Sequence, residues 1–129
     1  AVDYDMTGAR ALPEVDLFTR LGAWIQAGFA HAQADPTVGM RFPVLFDQAG
    51  YADVGALGLQ VYFPPQAREA AGYVVGVVRA LEGAIIASGA ADADELDLDT
   101  LPQRLAAAIE ESGATWTMPT IVGGWGRRA

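Results

Sequence analysis

The stretch from Val38 to Phe63, VGMRFPVLFDQAGYADVGALGLQVYF, constrains the fold most, because a helix signal, a stop signal and a strand signal follow one another within it. Pro43 suits a first helical turn, where its missing N–H has no intrahelical partner. Phe42, Leu45, Phe46 and Ala49 then share one face of a helix predicted from about Met40 to Ala49. Gly50 stops it, since a residue without Cβ takes the left-handed conformation at no steric cost. Tyr51 to Val54 lead into a strand in which Leu57, Leu59, Val61 and Phe63 alternate with smaller or polar residues, the pattern of a half-buried strand. A helix feeding such a strand is the unit of an α/β fold.

The flanking segments extend this reading. Val2 and Tyr4 alternate with Asp3 and Asp5 in a short strand over Ala1 to Met6, and a chain that opens mid-strand without an initiator Met reads as a piece of something longer. A helix is predicted from Pro13 or Glu14 to about Gln33, with Leu17, Phe18, Leu21, Trp24, Ile25, Gly28, Phe29 and Ala32 at helical spacing. Asp35-Pro36 ends that segment, because a residue before proline is pushed out of the α region. After Pro64-Pro65, one long apolar helix is predicted as far as Gly89, weakened by Gly72, Gly76 and Gly83, which suit close helix contacts or motion. Asp92-x-x-Glu95 and Thr100-x-x-Gln103 read as capping boxes, the second opening a helix closed by Gly113. Thr115 to Trp125 is predicted as the last strand, with Pro119 interrupting its row of donors. The whole is expected to be a single domain over residues 1–129, with no internal repeat.

Composition narrows the function classes. Sixteen acidic against eight basic residues give a formal charge of −8, which disfavours a phosphate backbone as partner, so no nucleic-acid role is expected. The absence of cysteine excludes a disulfide framework, a thiolate metal site and a thiol nucleophile, and fits a reducing compartment; a cytoplasmic location is expected. Apolar runs fall short of the roughly 18 to 20 residues a membrane span needs, and no membrane role is expected. The run Asp92, Asp94, Glu95, Asp97, Asp99 lacks the calcium-loop spacing, with Leu96 and Asp97 where that loop needs an oxygen ligand and a glycine. It reads as capping and a solvated acidic face, and no metal site is expected. His31, the single histidine, has no neighbouring motif that would make it a base.

Asp3 and Asp5 are the best acid or base candidates, since the end of a strand in an open α/β sheet points to the ligand crevice; the alternative is that both are solvated at a strand exit. Trp24 and Phe29 could line an apolar pocket or belong to the core. Arg10 and Arg41 lie beside predicted junctions, where either could hold a carboxylate or serve a local ion pair. No G-x-G-x-x-G or Walker sequence is present, and Gly123-Gly124 precedes no helix.

Three segments, AVDYDMTGAR, DPTVGMRFPVLFDQAGYADV and TMPTIVGGWGRR, resemble in their order and spacing the C-terminal part of a class I S-adenosylmethionine-dependent methyltransferase of the small-molecule type. The resemblance implies a Rossmann-like α/β sheet. This chain would supply its fifth strand, its sixth, and an antiparallel seventh inserted between them, with the helices from Arg68 to Gly113 as an insertion. It also implies methyl transfer to a small-molecule acceptor by the intact enzyme, with this part inactive alone. The acceptor pocket would be shaped by Tyr4, Arg10, Trp24, Phe29 and Arg41, with Asp3 or Asp5 as base. The S-adenosylmethionine cradle would lie elsewhere, and its residues are not identifiable here. A second reading is a non-catalytic small-molecule-binding or dimerisation module on the same fold. Self-association is expected through an open sheet edge or through the apolar helix Ala70 to Ile86.

Overall fold

A computed structural model describes residues 1–129 as a mixed α/β structure with six helices and two three-stranded antiparallel sheets. The elements, in chain order, are β1 (Val2–Asp5), β2 (Ala11–Leu12), α1 (Asp16–His31), α2 (Val38–Gln48), β3 (Tyr51–Leu59), β4 (Tyr62–Phe63), a 3-10 turn (Arg68–Ala70), α3 (Ala71–Ala80), α4 (Glu82–Ser88), α5 (Ala93–Leu96), α6 (Leu101–Ser112), β5 (Thr115–Thr117) and β6 (Thr120–Arg128). They fall into two compact units. The sheet unit comprises Ala1–Ala9, Asp35–Val61 and Met118–Ala129; the helical unit comprises Arg10–Ala34 and Tyr62–Thr117.

In the sheet unit the strand order is β1-β6-β3, and β6 runs antiparallel to both neighbours, so β1 and β3 are parallel to each other. Val2, Gly123 and Leu57 lie opposite one another, as do Tyr4, Ile121 and Leu59; by alternation Asp3, Val122 and Gly58 point to the other face. Helix α2 covers that second face. Phe42 is buried on Gly124, where a Cβ would stand 2.6 Å from the Phe42 Cβ, and Gly39 meets Val122, where a Cβ would stand 2.9 Å from a valine methyl. The ring of Phe42 continues through Phe46, 6.2 Å away, to Tyr51, 5.3 Å further.

Three expectations for this unit need correction. Helix α2 begins at Val38, which puts Pro43 inside the helix and leaves the carbonyl of Gly39 without its i+4 donor. Leu45, expected on the buried face, is exposed. The strand after Gly50 does not continue to Phe63: it ends at Leu59, and the Gln60 side-chain amide donates to the carbonyls of Gly8 and Met118 at 3.0 and 3.1 Å, anchoring the chain where it leaves the sheet. Gly50 itself has φ +82°, as its stop role requires.

The helical unit holds nearly all of the apolar core. Of 22 buried hydrophobic residues, only Phe42 and Val122 belong to the sheet unit, so the helical unit alone has a core of the usual kind. Leu21, Ile85, Leu101, Leu105 and Ile109 are among its most enclosed aliphatic anchors, with Trp116 of β5 between Phe18 and Phe63 at centroid distances of 5.8 and 4.8 Å. The Trp116 indole N–H is buried and donates to no protein group.

The expected single apolar helix to Gly89 is two helices bent by 60° at Leu81, whose φ of −101° and ψ of 5° leave the α region. Gly72, Gly76 and Gly83 face open space, so they make no close contacts; the close approach is at Gly28, where a Cβ would stand 3.1 Å from Ile85 and 3.2 Å from Leu81. Asp92 caps α5 by accepting from the Glu95 N–H at 2.8 Å, whereas Thr100 makes no side-chain cap to α6 and donates instead to the Asp97 carboxylate at 2.6 Å. The last strand is also two strands. Pro119 marks the break, with β5 in the order β2-β5-β4 and β6 in the other sheet. The two-residue strands β2 and β4 are additions the hydrophobic pattern did not announce. No single helix is long and apolar enough to cross a membrane.

Candidate functional site

Asp3, Tyr4, Asp5 and Arg41 belong to the sheet unit. Asp3 is exposed, and one of its oxygens accepts from the Tyr4 N–H at 2.7 Å. Asp5 closes the strand: Oδ1 accepts from the Thr7 N–H at 3.0 Å and from the Thr7 hydroxyl at 2.5 Å, a local turn in which the carboxylate replaces a strand partner. Its second oxygen remains for another partner. Tyr4 stands on the face opposite α2, 43 % exposed.

Arg41 does not reach these acids. Its guanidinium donates to Asp35 Oδ2 at 2.8 Å, while Asp35 Oδ1 accepts from the Thr37 N–H and hydroxyl at 2.8 and 2.6 Å. The Thr37 hydroxyl first, then Arg41 and the Thr37 N–H, hold the Asp35 carboxyl down at about 2. The arrangement anchors the turn into α2, which is the local ion-pair reading of Arg41.

Arg10, Trp24 and Phe29 belong to the helical unit. Trp24 is 4 % exposed and so belongs to the core of α1; Phe29 is half-buried. Arg10 precedes β2 and pairs with β5 through two backbone contacts, its N–H donating to Thr117 Oγ1 at 3.0 Å and its carbonyl accepting from the Thr117 N–H at 2.9 Å.

Those contacts place Arg10 beside an open hollow of about 190 Å³ on the smaller sheet, lined by Arg10, Ala11, Leu12, Tyr62, Thr115 and Thr117. The sequence reading included only Arg10 of these. The signal for Thr115 and Thr117 was the Thr115-Trp116-Thr117 triplet: period-two alternation turns both threonines to the side opposite Trp116, Thr115 exposed and Thr117 buried, with Leu12 and Tyr62 as their cross-strand partners. The lining offers one cation, hydroxyls and apolar carbon, and no nucleophile paired with a base. Its chemistry is that of holding a small anionic or polar group of a mainly apolar molecule, and its size is below the roughly 300 Å³ at which drug-sized ligand pockets begin.

No glycine-rich turn joins a strand to a helix in this chain: Gly123 and Gly124 sit inside β6. No protein-family model matches the sequence, and no curated protein matches it.

Proposed function

We propose that this chain is the acceptor-shaping portion of an S-adenosylmethionine-dependent methyltransferase acting on a small molecule. The observation that carries the reading is the order β1-β6-β3, in which the last strand of the chain runs antiparallel between two mutually parallel strands. That is the arrangement the resemblance implies for the fifth, seventh and sixth strands of a Rossmann-like sheet, and the helices from Arg68 to Ser112 then stand as the insertion. In this reading the cofactor cradle lies outside these residues and their contribution is positional: they orient the acceptor and exclude water. The second oxygen of Asp5, in the sheet unit, takes a proton from the acceptor where the acceptor carries one. A cytoplasmic location accords with the same reading.

The second reading, a non-catalytic binding or dimerisation module, is favoured by one specific observation. Both candidate base carboxylates are engaged in local backbone hydrogen bonds, as structural turn residues would be.

Transfer of labelled methyl from S-adenosylmethionine to small molecules of a cell extract, by the complete gene product, decides between the two. We expect transfer, reduced about tenfold or more by Asp5→Asn. The 129 residues alone should show no S-adenosylmethionine binding by calorimetry. No transfer, together with no glycine-rich strand-to-helix turn encoded ahead of Ala1, would leave the binding module. Saturable micromolar binding by the isolated chain would place the cofactor site within it.

A further inference from the structure

Five of the eight arginines are held by the chain itself. Arg41, Arg68 and Arg127 pair with Asp35, Glu110 and Asp53, and Arg79 and Arg104 donate to the carbonyls of Leu98 and Leu96. Of the other three, Arg10, Arg20 and Arg128, it is Arg10 that lines the hollow of about 190 Å³ on the β2-β5-β4 sheet. Its part in the fold is played by its backbone, which bonds to the hydroxyl and N–H of Thr117, so the guanidinium is left without a partner. The register orders the rest of the lining. Leu12 opposes Thr115 and Tyr62 opposes Thr117, and the β2-β5 register continued by one residue sets Arg10 across from Thr117 on the other side. Cation and aromatic ring therefore flank the small Thr117 side chain two strand spacings apart, about 10 Å, with Leu12 and Thr115 in the adjoining row.

We propose that this hollow binds a small free monocarboxylic acid, its carboxylate on the Arg10 guanidinium and its apolar body against Leu12 and Tyr62. The lining holds one cation and no acidic side chain, and a guanidinium fork matches a planar carboxylate through two N–H donors. The Thr115 hydroxyl, exposed and without a partner, supplies a further donor. A dianion fits less well, because one guanidinium balances one charge and the formal charge of −8 on the chain repels the other. Leu12 and Tyr62 are 78 % and 59 % exposed, so both have apolar surface for a ligand to cover. The volume, below that of drug-sized pockets, limits the body to a short chain or a single ring. A peptide end is disfavoured as the source of the carboxylate, since β2 and β4 have two residues each and give a backbone no edge to pair along. All of these residues belong to the helical unit, and their binding an acid requires no methyl transfer.

The test is an NMR titration of the 129-residue chain with three probes: hexanoate, hexanol, and the capped dipeptide N-acetyl-glycyl-leucine. Expected with hexanoate are saturable shifts of the Leu12, Tyr62, Thr115 and Thr117 amides, at a Kd in the millimolar range. Binding should be about threefold to fivefold weaker for hexanol, and for hexanoate in Arg10→Gln, as the loss of one exposed charged contact gives. Arg10→Gln keeps the backbone contacts to Thr117, and far-ultraviolet circular dichroism checks that it folds; the hexanol comparison tests the charge on the wild-type chain alone. Hexanoate that gives no saturable shift up to its solubility limit, or shifts centred away from the hollow, overturns the proposal. So does hexanol binding as tightly as hexanoate, or a folded Arg10→Gln that binds hexanoate as the wild type does. A dipeptide that binds more tightly than hexanoate overturns it as well, and would assign the hollow to a chain end.

Discussion

Gly123 and Gly124 are adjacent and identical in the sequence, yet alanine at the two positions should have opposite effects. At Gly124 the new methyl would lie 2.6 Å from Phe42 Cβ and 2.8 Å from Cγ, where ordinary contact begins near 3.4 Å. Phe42 Cβ is fixed to the α2 backbone and cannot rotate away, so the helix must retreat by about 0.8 Å, loosening the Gly39–Val122 contact beside it. Overpacking of this kind costs roughly 1–3 kcal/mol. At Gly123 nothing lies within 4 Å, and alanine there removes unfolded-state freedom, a gain of roughly 0.4–1 kcal/mol. The two variants should therefore differ by about 1.4–4 kcal/mol, and hydrogen exchange of the β3 and β6 amides should read this as opening that is about tenfold to several hundredfold more frequent in Gly124→Ala. Equal protection in the two variants, or the greater loss at Gly123, would refute the reasoning. Because side chains alternate with period two, a greater loss at Gly123 would mean that β6 is displaced by one residue and the helix covers the other face.

Two further outcomes follow from single contacts. Gly28→Val should overpack the contact of α1 with Leu81 and Ile85 and lower the melting temperature of the helical unit by several degrees, whereas Gly76→Ala, in open space on α3, should raise it slightly; scanning calorimetry distinguishes them. The carboxyl of Asp35 is held at about 2 in the folded chain, below its unfolded value, so the stability it contributes is present above the unfolded pKa and is lost as pH falls through about 2. Asp35→Asn should flatten the acid limb of the stability profile in urea titrations, and an Asp35 carboxyl that titrates by NMR at the ordinary value near 3.9 would sink the assignment.

What the sequence made legible was mainly local. Gly50, Gly89 and Gly113 stop their helices with φ of +82°, +79° and +63°, a demand that a single residue announces by lacking a Cβ. The α1 stripe from Leu17 to Gly28 and the Asp92 cap were read for the same reason, since their partners lie within a few turns. Misreadings fall where a continuous pattern is cut by a distant contact. Leu57, Leu59, Val61 and Phe63 keep perfect alternation across Gln60, but Gln60 bonds to Gly8 and Met118, remote in sequence, and the chain changes sheets there. The apolar run through α3 and α4 has no proline at Leu81, and the bend at that residue goes with its packing against Gly28, more than fifty positions earlier.

The candidate site was less legible than the fold because its residues were chosen for standing at junctions, and a junction does not reveal its partners. Arg41 was open to a ligand until Asp35 is seen to occupy it, and Asp5 until Thr7 engages one oxygen. Leu12 and Tyr62, on strands of two residues each, carry too little periodicity to be placed at all. The same limit governs the sheet. Alternation states that Leu57 and Leu59 share a face and that Ala56 and Gly58 share the other, but which face a helix covers is settled by whether an aromatic ring fits on a glycine. Gly124 accepts Phe42 in that way, and Gly123, one residue before it, leaves the corresponding position on the opposite face open.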